Sequence, residues 1–228
     1  LHGSSNLELH EIENIFGDNL KVDLIPNLPV QTKHINPTHR LKDSSSLILL
    51  TIGRISPIKN LIFLLKVLKE IEFNVELNII GPVEDQDYWV QCKNVIADLP
   101  ENCKVSFLNE KSPEDIRDFF SKSDLFISTS LNENYGHSIV ESLSQGCPVL
   151  ISDNTPWKKL AKFNSGAELA LKIELFKEKL NYFNSLSEED WALYRLGAFK
   201  YFKKNIDLDI FKEQYCEMFN SLSQNNVK

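Results

Sequence analysis

The sequence predicts an α/β chain with a doubly wound, Rossmann-like parallel sheet and a helical C-terminal extension. Two observations carry that expectation. Short apolar runs rich in Val, Ile, Leu and Phe recur at Val22 to Ile25, Leu47 to Ile52, Val75 to Ile80, Val105 to Leu108, Leu125 to Ser128 and Val149 to Ile151. They are continuous rather than alternating, as expected for strands buried on both faces of a parallel sheet. Amphipathic stretches separate them, giving a β-α-β-α-β-α order.

The intervening stretches read as helices. Leu61 to Ile71 has apolar residues at helical spacing, with Lys66, Lys69 and Glu70 on the other side. Asp85 to Leu99 is a weaker helix. Another starts at Ser112, with Pro113 at its first position and Asp115 three residues after the cap. Ile139 to Ser144 is a short helix that Gly146 stops. Pro29 to Ser46 is polar and reads as a long surface connection. After Trp157 the chain is mainly helical, ending in an amphipathic stretch from Leu208 to Leu222 and a frayed tail.

The bulk properties exclude several classes. The 228 residues are ample for one domain with a real core and marginal for two. A net charge of -7 argues against a nucleic-acid binder, because phosphate neutralisation dominates that affinity. A phosphate-bearing ligand would therefore need a local site of a few cations and backbone N–H groups. Cys92, Cys103, Cys147 and Cys216 show neither metal-ligand spacing nor a disulfide framework, which points to a reducing, cytoplasmic compartment. Cys147, beside an apolar run, reads as a buried small hydrophobe. No run reaches membrane-spanning length, and no signal-peptide pattern is present. The chain opens at Leu1 rather than methionine, as expected of a piece of a longer protein.

Ligands of open parallel sheets bind beyond the C-terminal ends of the strands. Gly53-Arg54-Ile55-Ser56-Pro57-Ile58-Lys59-Asn60 follows one such end. Gly53 permits a tight turn and close approach, and Arg54 and Lys59 place two cations before a helix, suiting a diphosphate. Taken alone, they read equally well as surface cations on a loop. Leu131 to Glu141 follows another strand end. Glu133 lies in the loop, Gly136 lets backbone approach a ligand, and His137 and Ser138 open a helix with free N–H groups. Glu141 lies one turn into that helix, where a carboxylate could accept from two neighbouring ribose hydroxyls. As isolated residues, Glu133 and Glu141 are more often solvated than functional. Asp85 and Asp87 form a D-x-D pair that reads as solvated loop, and Trp157 reads as core. His2, His10, His34 and His39 show no metal-ligand spacing.

Together these segments resemble the C-terminal half of the group 1 family of retaining glycosyltransferases with the GT-B fold. The opening SSNLELHEIENIFGDNLKVDLIPNLP is similar to the family's interdomain junction of helix, strand and Pro-Asn turn. LLTIGRISPIKNL is similar to its GR…KN motif, and SLNENYGHSIVESLSQGCPVLISDNTPW to its E-x7-E segment. The resemblance implies a junction helix from an N-terminal acceptor domain over residues 1–20, a nucleotide-sugar-binding domain over 21–205, and a helix over 206–228 that packs back on the absent domain.

By resemblance, Arg54 and Lys59 hold the donor diphosphate and Glu133 is catalytic, beside the donor sugar. Asn134, Tyr135, Gly136 and His137 supply backbone contacts to sugar and phosphate, Glu141 binds the ribose, and Leu108 and Asn109 border the base. The implied reaction is retaining transfer from a nucleotide-diphosphate sugar such as a UDP-sugar, in glycan or polysaccharide biosynthesis. It uses no cofactor, no essential metal and no nucleic acid. The full protein is expected in the cytoplasm, with peripheral association at the inner face of the membrane left open. Tyr135 stands where the family commonly has Phe, and the stretch after Trp157 is shortened and lacks a Gly-rich turn. The alternatives are a sugar phosphorylase or nucleotide-sugar epimerase on the same fold, or a non-catalytic binding module.

Overall fold

The computed structural model describes residues 1–4, 6–17, 19–20, 22–25 and 46–225. The Pro26-Asn27 turn of the junction, and the surface connection from Pro29 up to residue 45, lie outside the described residues. At the N-terminus, β1 (His2–Gly3) and β2 (Asp23–Leu24) pair in parallel around α1 (Asn6–Phe16). The principal sheet has six parallel strands: β3 (Leu47–Ile52), β4 (Val75–Ile80), β5 (Cys103–Phe107), β6 (Leu125–Ser128), β7 (Val149–Ser152) and β8 (Gly166–Leu169). Their spatial order is β5-β4-β3-β6-β7-β8.

Helices cover both faces. They are α2 (Leu61–Lys69), α3 (Gln86–Ala97), α4 (Pro113–Lys122), α5 (His137–Ser144), α6 (Ile173–Asn184), α7 (Glu188–Asn205) and α8 (Leu208–Asn225). The pleat of the continuous apolar runs feeds two cores. Leu125 and Ile127 join the cluster holding Leu65, Leu77 and Phe176, whereas Phe126 joins the opposite cluster with Val140, Val149 and Trp157. This is why those strands show no alternation: each face meets helices. α7 serves both cores, with Trp191 and Tyr194 in the first and Ala198, Tyr201 and Phe202 in the second.

The doubly wound parallel sheet is as expected, with two differences in membership. The run from Val22 to Ile25 does not enter the principal sheet; Asp23 and Leu24 pair with His2 and Gly3 instead. The sixth strand is Gly166–Leu169, inside the stretch read as mainly helical. It has no apolar run. Its place is secured by pairing with β7 and by the Glu168 carboxylate, which accepts from the backbone N–H groups of Lys159 and Leu160. Asp85 is more than a solvated loop residue, since its carboxylate caps α3 by accepting from the Tyr88 N–H at 2.9 Å. Trp157 and Cys147 are buried, as read.

Candidate functional site

The strand order creates one crevice. From β3 the chain turns to β4 on one side, whereas β6 leads to β7 on the other, so the loops leaving these adjacent strands diverge. Both sequence segments singled out above lie at this switch point.

The first loop runs from Gly53 to Asn60. A 3-10 turn over Pro57–Lys59 and a left-handed Asn60 deliver it to α2. Lys59 turns inward, and its Nζ donates to Glu133 Oε2 at 2.5 Å. Their side chains are 27% and 17% exposed, enough shielding for the pair to order both. Arg54 is exposed and turns the other way, donating from Nη1 to the Glu84 carboxylate. Glu84 belongs to the loop after β4. That loop is tied to the first by the Ile55–Val83 bridge and by hydrogen bonds from Ile55 N–H to Pro82 O and Glu84 N–H to Ile55 O. Arg54 and Lys59 thus border a common cleft with Gly53 and Ser128 to Ser130, each cation already facing a carboxylate.

The steric demand expected at Gly53 falls instead on Gly81. A Cβ at Gly53 would make ordinary contact, 3.5 Å from Lys59 Cε. Gly81 has φ +143°, and a Cβ there would lie 2.0 Å from the Gly53 carbonyl oxygen. Close approach of the β3 and β4 ends is therefore permitted by the glycine that follows β4.

The second loop runs from Thr129 to Gly136. It is pinned to the first where Leu131 N–H donates to Ile58 O at 2.8 Å and Thr129 Oγ1 donates to Asn60 O at 3.0 Å. Buried hydroxyls then lead to Glu133. Ser152 Oγ donates to Ser130 O, Ser128 and Ser130 hydroxyls lie 3.2 Å apart, and Ser130 Oγ donates to Glu133 Oε2 at 3.3 Å. Gly136, left-handed at φ +79°, caps α5; a Cβ there would crowd Ile139 Cδ1 at 2.8 Å and Glu133 Cγ at 3.2 Å. The missing side chain lets Glu133 lie against the helix start. The N–H groups of His137 and Ser138, at the first two helix positions, have no intrahelical acceptor and carry the positive end of the helix dipole.

Asn134 is half-buried beside them. Tyr135 is buried, its ring packed on Trp157 and His137, and burial pushes its phenol up to about 12. Its carbonyl, one of the backbone groups expected to face the ligand, accepts from the Trp157 indole N–H at 2.5 Å. Burial lowers the His137 pKa, opposed in part by the nearby Glu133 charge. Burial also raises the Glu141 pKa above the ordinary carboxylate range. Among the described residues no donor reaches the Glu141 carboxylate, so this half-buried group has hydrogen-bonding capacity to spare.

Leu108 and Asn109 lie at the end of β5, two strands from β3, and do not touch the Lys59–Glu133 pair. Leu108 N–H donates to Ile79 O, and the left-handed Asn109 accepts from Gly81 N–H at 3.1 Å. Glu84 and the hydroxyls of Ser128 and Ser130 escaped sequence reasoning. The hydroxyls sit inside apolar runs or turns, and Glu84 could have been found only by assigning the loop after β4 to the same crevice. Among the described residues, no group of three or more His, Cys, Asp or Glu side chains could hold a metal ion.

Residues 33–190, more than half of the chain, match the family described as Glycosyl transferases group 1. The chain belongs to that family. Among curated proteins it is 29% identical over 76 residues to the O-antigen chain mannosyltransferase RfbU of Salmonella typhimurium, covering 33% of this chain and 22% of that protein. It is 31% identical over 124 residues to the GDP-Man:Man(3)GlcNAc(2)-PP-Dol alpha-1,2-mannosyltransferase of Caenorhabditis elegans, covering 50% and 26%. These matches span about a quarter of each curated relative. Among solved structures, Anabaena Alr3699/HepE in complex with UDP and glucose superposes with a TM-score of 0.78 at 19% identity, over 96% of this chain and 62% of that one. The Rossmann-like half of a GT-B fold is therefore the architecture here.

Glu141 makes a pH-dependent prediction for this glycosyltransferase chain. Its raised pKa means the ionised carboxylate is penalised in the folded state at neutral pH. The penalty lifts as pH falls through the folded-state pKa. Glu141→Gln should therefore melt above wild type at pH 7.5, and the difference should shrink toward pH 4. Melting curves that coincide at pH 7.5 would show that burial does not strain this group.

Proposed function

We propose that this chain is the donor domain of a hexosyltransferase and binds a nucleoside-diphosphate hexose in the crevice between β3 and β6. The observation that carries the reading is the Lys59–Glu133 pair at 2.5 Å, set at the switch point beside a dipole-bearing helix start. An anionic diphosphate can replace the Glu133 carboxylate as the partner of Lys59, leaving that carboxylate beside the sugar. Arg54, already held over the same cleft, supplies the second cation. Asn134 to His137 line the sugar and phosphates, the unsatisfied Glu141 carboxylate takes the ribose hydroxyls, and Leu108 and Asn109 border the base.

In the transfer, the bond between the hexose C1 and the diphosphate oxygen breaks and a bond from an acceptor hydroxyl oxygen to C1 forms. The hydroxyl proton passes to the departing nucleoside diphosphate, and configuration at C1 is retained. Lys59, Arg54 and the α5 N–H groups stabilise the charge that develops on the leaving diphosphate, so neither metal nor cofactor is called for. GDP-mannose and UDP-glucose are the donors to test first. The two curated relatives are named as mannosyltransferases, and the Anabaena protein was solved with UDP-glucose.

The acceptor is assigned to a further, N-terminal domain of the same polypeptide, in a glycan-building pathway. Exposed Ile15, Phe16, Ile210 and Phe219 on α1 and α8 support this, as does the Tyr215 hydroxyl of α8 lying 3.2 Å from His2 Nε2 of β1. Among the described residues no helix is long and apolar enough to cross a membrane, and the described cysteines are free. A cytoplasmic enzyme, with any membrane contact made through that other domain, fits both facts.

Calorimetric titration with UDP, GDP and ADP, then with the matching sugar nucleotides, tests the reading. One base should bind preferentially. Arg54→Ala should weaken the nucleoside diphosphate about tenfold or more while leaving the nucleoside unchanged, since a charge-assisted hydrogen bond contributes ~1.5–3 kcal/mol. Equal losses for both ligands would remove the diphosphate contact from Arg54.

A further inference from the structure

The carbonyl of Tyr135 is turned toward the segment after β7, and one side chain holds it there. Trp157, 9% exposed, donates from its indole N–H to Tyr135 O at 2.5 Å. Among the described residues no other donor reaches that carbonyl. The indole is itself fixed by packing. It lies edge-on to the Tyr135 ring at 5.5 Å and to the Tyr201 ring of α7 at 6.4 Å. Tyr201 Oη donates to Lys158 O at 2.8 Å, which ties the backbone just after Trp157 to α7.

The consequence falls on the next N–H. In a trans peptide the C=O and the N–H point in opposite directions, and the described residues contain no cis peptide. With Tyr135 O drawn to the indole, the Gly136 N–H points the other way. Among the described residues no acceptor meets it. Gly136 lies against the side chain of Glu133, whose carboxylate faces Lys59 in the crevice. The free N–H groups of His137 and Ser138 follow it. Successive backbone N–H groups at a left-handed residue leading into a helix form a concavity for an anion.

The backbone alone does not select this orientation. Turning the Tyr135–Gly136 peptide over changes φ at position 136, where glycine tolerates either sign. The inverted peptide would present Tyr135 O where the Gly136 N–H now stands, an acceptor in place of a donor.

We propose that Trp157 is a positioning residue for the donor diphosphate. Its indole N–H locks the Tyr135–Gly136 peptide so that the Gly136 N–H joins those of His137 and Ser138 at the crevice. The proposal rests on the transferase reading above.

The test compares the full-length wild type with Trp157→Phe and with a protein carrying benzothienylalanine at position 157 alone. That analogue keeps the bicyclic shape of tryptophan and lacks its N–H, so it separates the hydrogen bond from the packing. The nucleoside and nucleoside diphosphate of the preferred base are titrated calorimetrically, and the Gly136 amide is followed by proton–nitrogen correlation NMR. Both altered proteins should bind the diphosphate about tenfold or more weakly, since a hydrogen bond to a charged group is lost and an acceptor oxygen takes its place. Nucleoside affinity should match wild type. The diphosphate should shift the Gly136 amide in wild type and leave it unmoved in the benzothienylalanine protein. Wild-type diphosphate affinity in that protein would overturn the proposal. So would equal weakening of both ligands, which would mark Trp157 as packing alone, or a Gly136 amide that the diphosphate does not shift in wild type. Failure of wild type to bind any nucleoside diphosphate would instead overturn the transferase reading itself.

Discussion

Asp124→Ala is expected to destabilise the protein by ~3–5 kcal/mol, the cost of leaving one partner of a buried ion pair without the other. Asp124 is 1% exposed at the start of β6, and Arg195 of α7 is 6% exposed. One carboxylate oxygen accepts from the Ile48 N–H of β3 at 2.8 Å, and the other lies 3.8 Å from Arg195 Nη2. Arg195 Nη2 also donates to Ser123 O at 3.0 Å. The pair therefore fastens α7 to the end of the sheet opposite the crevice. Removing the carboxylate strands both the guanidinium and the Ile48 N–H. Asp124→Leu combined with Arg195→Met should recover much of the loss, because apolar replacements of both partners leave no buried charge. Urea unfolding of the wild type and these two variants decides the matter. A loss under ~1 kcal/mol for Asp124→Ala would show that water reaches this site and that the pair does little for the fold.

Gly81→Ala is the second large effect, and it links the fold to the site. The substitution forces a side chain onto a backbone at φ +143° and places its Cβ 2.0 Å from the Gly53 carbonyl oxygen. The strained backbone and the overpacking each cost ~1–3 kcal/mol, so a loss of ~2–6 kcal/mol is expected. The clash can be relieved only by parting the ends of β3 and β4, where Gly53 N–H donates to Ile80 O, or by pulling Gly81 N–H from Asn109 O beyond β5. Either movement displaces the loop carrying Arg54 and Lys59. Nucleoside-diphosphate affinity should therefore fall at least tenfold although no ligand-facing side chain has changed. Gly53→Ala is the control: without the close contact or the positive φ, its effect should stay under ~1 kcal/mol. Equal damage from both substitutions would refute the assignment of the steric demand to Gly81.

Much of the site was legible because strand ends are legible. Continuous runs such as Leu47 to Ile52 and Leu125 to Ser128 can be buried on both faces only in a covered parallel sheet, and the residues immediately C-terminal to each run must emerge at that edge of the sheet. Arg54, Lys59, Glu133 and Gly136 all emerged there. The pairing of those residues was not legible. Lys59 and Glu133 are 74 positions apart, and nothing local tells Lys59 to face a carboxylate while Arg54 faces Glu84.

The sequence by itself determined the class of fold, the cations and carboxylates at the crevice, and the glycine that opens α5. Each arises from short-range physics: apolar periodicity, helix capping, and the freedom of a residue without a Cβ. The tertiary structure alone decided which strands share a sheet. It moved the Val22 to Ile25 run onto His2–Gly3, and it admitted Gly166–Leu169, a strand without an apolar signal that pairing with β7 holds in place. It also decided which glycine bears the close approach, since that depends on how near two strands separated by α2 come. Finally it brought Tyr135, Thr155 and Trp157 to one cavity wall, from segments about 20 positions apart that only packing joins.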